Sequence, residues 1–265
     1  MNASTFDAYL HMQAITTQQR RLLMRERLAR QLVQAQANSQ AFDALQAALG
    51  QHEPLDPAGV VSLVLPSGPS MREAVPRERR RRYLRHLIDI IGQAFDQRLQ
   101  AGAVPAGASS SEQTVSADVA YGPISGQLCA VCRGGCCTRG QDHGFLQPES
   151  IQRLLLRQAN LSGRQVLRIY LHHVPKASLR GGCINQTEQG CNLPRDLRSQ
   201  ACNNFMCSAM TATVRREENA PALQIAVVLQ RQLDHWQHEE SILHDPIVAA
   251  ALIRTEGFVR LPPPT

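Results

Sequence analysis

The chain reads as a mainly α-helical protein: a helical N-terminal region followed by a small, irregular, cysteine-rich metal-binding domain with packed helices. Three observations predict this. Apolar residues recur at helical spacing along most of the chain, and alternating strand patterns are few. The composition is 43% hydrophobic but only 4% aromatic, so the core must be built from Leu, Ala, Val and Ile. All eight cysteines lie between Cys129 and Cys207, whereas a chain using cysteine as a small core residue would scatter them.

Taken in order, residues 13–35 predict a first helix. Ile15, Leu22, Leu23, Leu28, Leu32 and Val33 recur near helical spacing, with Arg20, Arg21, Arg25 and Arg27 between them. A second helix fits 39–49, capped by Ser39, faced by Phe42, Leu45 and Leu49, and stopped by Gly50. The proline-rich stretch 54–70 reads as a loop around the apolar run Val60 to Leu65. A third helix starts at Pro76 and runs to about Leu99, with Leu84, Leu87, Ile88, Ile91, Phe95 and Leu99 on its apolar face. Residues 101–118, rich in Ala, Gly and Ser, read as a linker or long loop. Between the two halves of the cysteine segment, one helix starts at Pro148 and another is capped by Ser162. An apolar stretch runs from Leu223 to Leu233, and a last helix is expected from Asp245 to Glu256 with Gly257 as its stop. The expected division is therefore 1–100 helical, 101–118 linker, 119–210 cysteine-rich and metal-chelating, and 211–265 helical, within the one large or two modest domains that 265 residues allow.

Cys129 and Cys132 form a Cys-x-x-Cys pair, a spacing that lets two sulfurs converge on one ion. Cys136 and Cys137 are adjacent, and neighbours in an extended chain face opposite ways, so they suit two different sites or two irons of one cluster. With Cys183, Cys191, Cys202 and Cys207, the set suits two four-sulfur sites, or one such site plus structural or redox thiols. Spacing alone leaves the pairing open. Zinc and iron–sulfur clusters both accept thiolates. Structural zinc sites usually show two Cys-x-x-Cys pairs. The irregular second half here favours an iron–sulfur cluster, with zinc as the alternative. His143, six residues after Cys137, is a candidate replacement ligand, whereas His172 and His173 close a predicted helix.

The net charge is +6, and Lys176 is the only lysine. The segment 119–210 is the most basic, with 10 basic and 4 acidic residues. Eight thiolates around two divalent ions would add a formal charge of about −4, which these arginines would largely balance. Arg77, Arg79, Arg80, Arg81, Arg82 and Arg85 crowd the start of the third helix. Positive charge opposes the dipole there, so the run is a possible contact for RNA or an acidic protein. No stretch approaches the roughly 18–20 apolar residues of a membrane span. The N-terminus lacks a basic region followed by an apolar core. A cytoplasmic location follows, where clustered cysteines bind metal more often than they form disulfides.

The pattern Cys129-x-x-Cys132-x-x-x-Cys136-Cys137, with Arg198 four residues before Cys202 and Phe205 after it, resembles the YkgJ-type cysteine-cluster family of zinc- or iron-chelating proteins. A similar segment occurs in flagellin lysine N-methylase. The resemblance spans about residues 125–210 and implies a metal or iron–sulfur site on the matching cysteines. It departs from the family pattern where Ser199, rather than proline, follows Arg198. Three functions are therefore in view. The first is a metal-binding protein with a structural or redox site that serves a protein partner. The second is a protein-modifying enzyme related to the methylase. The third is an RNA-associated basic factor. The sequence carries no Gly-x-x-x-x-Gly-Lys loop, no paired-carboxylate signature and no cysteine standing apart as a nucleophile, so no catalytic residue is assigned.

Overall fold

The computed structural model describes residues 3–50, 59–102, 122–219, 223–232 and 245–264. Contacts divide the chain into two units, residues 1–54 with Thr265, and residues 55–264. The first consists of α1, Ala3–Gly50, one continuous helix of 48 residues where the sequence predicts two. Nothing between residues 36 and 38 breaks a helix: Ala, Gln and Asn supply neither a proline nor a glycine. None of the residues described along this helix is buried, and Leu23 and Leu32 stand more than 60% exposed.

The second unit is built on a four-stranded mixed sheet in the order β1-β6-β7-β8. The strands are β1 (Val60–Pro66), β6 (Ile225–Arg231), β7 (Ile247–Arg254) and β8 (Gly257–Leu261). β1 runs parallel to β6, with Val60 opposite Ile225, and the other neighbours are antiparallel. This corrects the expected fold class: the protein is α/β, not mainly α. Among its described residues, the expected helical region 211–265 holds the end of α8 (Ser208–Asn219), followed by three strands. The helix expected over 245–256 is instead β7. Its sequence Ile-Val-Ala-Ala-Ala-Leu-Ile suits either state locally. Pairing with β6, all seven residues of which are buried, outweighs the helix propensity of three alanines. Gly257, expected as a helix stop, opens β8 after the two-residue turn Thr255–Glu256.

The remaining elements are β2 (Arg72–Ala74), α2 (Arg77–Gly102), α3 (Ser125–Cys132), α4 (Gly135–Thr138), α5 (Pro148–Arg157), α6 (Gly163–His172), β3 (Ala177–Leu179), β4 (Gln186–Thr187), β5 (Gly190–Cys191) and α7 (Gln200–Asn204). α2, α5 and α6 lie where the sequence predicts helices. Ser162 caps α6 in a reciprocal box with Gln165. Most of the expected linker, residues 103–118, lies outside the described residues.

Two apolar cores result. One joins α3 and α8 to the sheet through Leu63, Leu65, Leu128, Val131, Met210, Val228 and Ile253, and Cys132 and Cys207 pack at its edge. The other joins α2, α5 and α6 through Leu87, Ile91, Ile151, Leu154, Val166 and Tyr170, and Cys183 packs at its edge. Each fully buried aliphatic side chain contributes about 1.5–3 kcal/mol. The cysteines thus border both cores.

Candidate metal centre

α3 carries Cys129 and Cys132 one helical turn apart, on one face. The helix is held at both ends. At its start, Glu217 from α8 accepts the Ile124 and Ser125 N–H groups at 2.8 and 3.3 Å. At its end, the sheet satisfies carbonyls that the helix leaves open. Gln230 donates to the Val131 carbonyl at 2.8 Å, Arg260 to that of Ala130 at 3.0 Å, and the Gly68 N–H to that of Cys132 at 2.9 Å. An acid at the N-terminus and an arginine at the C-terminus both match the helix dipole. Arg133 ends α3 in the left-handed region, at φ 51°, and its N–H returns to the Cys129 carbonyl. The chain then turns through Gly134 into the single turn α4, which presents Cys136 and Cys137.

This turn is tightly enclosed. A Cβ on Gly134 would lie 2.8 Å from the Cys132 sulfur. A Cβ on Gly68 would lie 1.4 Å from the Arg133 carbonyl oxygen. The two glycines let the sheet edge and the Cys-x-x-Cys turn touch backbone to backbone.

The second half of the site gathers Cys183, just before β4, Cys191 in β5 and Cys202 in α7. Ser199 caps α7, accepting the Cys202 N–H at 3.1 Å. Gly140 packs against Cys183, where an added Cβ would stand 3.0 Å from the sulfur. The connecting loop carries Gln141 and Phe145 at positive φ beside Gly144. Arg79 and Arg82 of α2 both pair with Asp142 in this loop, and Arg79 also donates to the Gly182 carbonyl at 2.8 Å. Burial pushes the Asp142 carboxyl up, but the two arginines outweigh it and hold it below its ordinary value.

The thiols fall into two groups by mutual influence. Burial pushes Cys132 up, and Cys136, Cys129 and Cys207 push it further. Cys129 keeps part of its surface open to solvent, yet crowding by protein atoms pushes its thiol up to about 12, with Cys136 and Cys207 adding to the rise. Burial likewise pushes Cys183 up to about 12, with Cys191 and Cys202 next in line. Cys202 is raised by burial and then by Cys191 and Cys136. Cys137 is raised most strongly by its hydrogen bond with Cys136, and it also feels Cys183. By geometry, Cys129, Cys132, Cys136, Cys137 and Cys207 share one cavity, whereas Cys183 and Cys202 both lie against Gly144, where Cys202 donates to its carbonyl at 3.9 Å and an added Cβ would stand 3.8 Å from the Cys183 sulfur. Arg198 counters the rise at both Cys129 and Cys202, and it donates to the Leu193 and Cys191 carbonyls at 2.8 and 3.3 Å.

Among the described residues, no three of these side chains converge closely enough to hold one ion as they stand. Other features fit a thiolate-bound group. A cavity of about 70 Å³ opens among Cys129, Cys132, Cys136, Cys137 and Cys207, with an apolar wall of Leu65, Leu128, Phe205 and Met210. Gln186, paired across the β4–β5 ladder with Cys191, is 3% exposed. Neither polar atom of its side chain has a partner among the described residues. Buried amides are normally satisfied.

The other sequence-predicted groups have local roles. His143 accepts the Phe145 N–H at its Nδ1 and lies edge-on to His86. Within the arginine run, Arg79 and Arg82 tie α2 to the cysteine segment through Asp142. Arg80 donates to the Pro175 carbonyl at 3.1 Å. Arg81 and Arg85 make exposed pairs with Glu78 at 3.7 and 3.9 Å, worth about 0–1 kcal/mol each. Sequence reasoning missed Gly68, Asp142, Glu217, Gln230 and Arg260. None of them carries a local signal, because each acts on a partner at least 60 residues away.

These observations define an α/β protein with a thiol-rich centre seated between two cores. No protein-family model, curated protein or solved structure matches the chain. Among the described residues, no helix is long and apolar enough to cross a membrane.

Proposed function

We propose that this chain is a metal-binding cysteine-cluster protein whose thiolates hold iron–sulfur, with zinc as the alternative metal. The observation that carries the reading is that five cysteines from two parts of the sequence, Cys129, Cys132, Cys136, Cys137 and Cys207, line one small cavity, while Cys183 and Cys202 both lie against Gly144. Cys129, Cys132 and Cys183, raised by burial first and by neighbouring thiols second, stay protonated at neutral pH. A cation that replaces their protons removes that repulsion. Arg79, Arg195 and Arg198 lie close enough to counter the charge of bound thiolates. The resemblance to the YkgJ-type family points the same way. The test is anaerobic purification of the full chain, followed by iron, sulfide and zinc analysis and a visible spectrum. Iron with sulfide and broad visible absorption is expected. Colourless protein with zinc would make the site a structural thiolate centre. Protein without either metal, purified from a metal-replete host, would overturn the reading.

A further inference from the structure

We propose that the groove between α2 and α6 is a docking site for an acidic segment of a partner protein that carries an aliphatic anchor. The inference is independent of the metal-binding reading, because no cysteine takes part. The groove has a volume of about 390 Å³ and is lined by Arg80, Arg81, Tyr83, Leu84, Leu171 and Val174. The two helices run antiparallel along it. An added Cβ on Gly163, at the start of α6, would stand 3.4 Å from Ile91, whereas Leu171, near the end of α6, lines the groove with Leu84. The floor is apolar and open. Leu171 is 37% exposed, and Ile88, one turn beyond Leu84 on the same row of α2, is 54% exposed.

The rim is basic. Arg80 and Arg81 are exposed near the start of α2, and exposed Arg77 lies one turn before Arg81. The loop after α6 closes on this end of the helix. Arg80 donates to the Pro175 carbonyl at 3.1 Å, and the Val75 N–H donates to the Lys176 carbonyl at 3.1 Å. The only lysine of the chain therefore stands beside the arginines, and it is exposed. Glu78 is the one acid in residues 77–85, and Arg81, Arg82 and Arg85 share it. Positive charge at a helix N-terminus opposes the dipole. Arg81, with its side chain 73% exposed, gains only a 3.7 Å pair with Glu78 in return.

Rim and floor together select the occupant. Guanidinium forks bind carboxylates bidentately, and a Leu–Val floor takes an aliphatic side chain of the kind that anchors a protein interface. RNA suits the rim but not the floor. Single strands bind by stacking bases on aromatic faces, and the aromatic residue lining the groove, Tyr83, is fully buried. A second copy of the chain, meeting this face with the same face, would bring like charge against the rim.

The test is fluorescence anisotropy of a labelled peptide of repeated Glu-Glu-Leu, titrated with the full chain at low salt. Saturable binding is expected. Leu171→Ser and Arg81→Glu should each weaken it about tenfold, as should replacing the leucines of the peptide by serine. Both substituted side chains are open to solvent, so circular dichroism of the two variants should match wild type. No saturable binding overturns the proposal. Binding that survives both Leu171→Ser and loss of the peptide leucines overturns the groove as its site. A labelled single-stranded RNA that binds more tightly than the peptide, and loses affinity in Arg81→Glu, overturns it in favour of nucleic acid. A concentration-dependent dimer in sedimentation that Leu171→Ser abolishes overturns it in favour of a second copy. Metal content should be the same in both variants as in wild type, so failure here stays separate from failure of the metal-binding reading.

Discussion

Replacing Gly68 by alanine tests how the sheet seats the first thiol group. The added Cβ would stand 1.4 Å from the Arg133 carbonyl oxygen, 2.1 Å from its carbon and 2.8 Å from the Gly134 nitrogen. All three are backbone atoms, so no side-chain rotation relieves the overlap. Restoring an ordinary contact moves the turn by about 2 Å, and this turn connects Cys132 to Cys136. The same shift breaks the 2.9 Å bond from the Gly68 N–H to the Cys132 carbonyl. Overpacking costs about 1–3 kcal/mol and the lost hydrogen bond about 1 kcal/mol, so Gly68→Ala should lose about 2–4 kcal/mol. That is a large share of the roughly 5–15 kcal/mol that holds a domain together, but it still permits folding. Urea denaturation measures the loss, and metal analysis of the folded variant should show the first group depleted while the second is kept. Gly92, on α2 with nothing within 4 Å of an added Cβ, is the matched control, and Gly92→Ala should gain about 0.5–1 kcal/mol. A Gly68→Ala protein within about 0.5 kcal/mol of wild type and carrying its full metal content would refute the reasoning.

Three further outcomes are expected. Asp142→Asn should destabilise the fold by about 1–3 kcal/mol near pH 7, because it leaves the mostly buried Arg79 without its carboxylate. The native carboxyl titrates below its unfolded value of about 3.9. The deficit relative to wild type should therefore be constant from pH 7 to 5 and shrink as pH falls through the native pKa, as read by urea midpoints across pH. Ser199→Ala should cost about 1 kcal/mol through loss of the α7 cap, while Ser199→Asp should retain most of it, measured by thermal denaturation. Metal added at pH 7 should release protons from the cysteine thiols, because burial pushes Cys129 and Cys183 up to about 12; titration calorimetry in two buffers of different ionisation heat counts them, and no proton release would contradict thiolate ligation.

Local pattern made part of this molecule readable. α2, α5 and α6 lie where apolar periodicity and caps place them. The spacing of Cys129, Cys132, Cys136 and Cys137 matches their placement at one cavity, while the adjacency of Cys136 and Cys137 left two sites or two irons of one cluster open. The sheet was not readable, because β1 pairs in parallel with β6 across more than 150 residues and no local pattern encodes that partnership. β6 is buried along its whole length, so its sequence is a continuous apolar run with no alternation to betray a strand. The Ala-Ala-Ala of β7 reads as helix from sequence until β6 lies beside it. The grouping of the cysteines was hidden for the same reason. Cys207 joins Cys129 and Cys132, rather than its sequence neighbour Cys202, because α8 packs beside α3 on the sheet. The arginine run looked like an outward-facing patch until the loop after Cys137 brought Asp142 to Arg79 and Arg82.

The central claim is that all eight cysteines hold metal in two groups. The most direct test is the metal content per chain of two double variants, Cys132→Ser with Cys207→Ser and Cys183→Ser with Cys202→Ser, against wild type. The account predicts that each double variant keeps about half of the wild-type metal, because each group keeps its own ligands. Full metal retained in either double variant would contradict it.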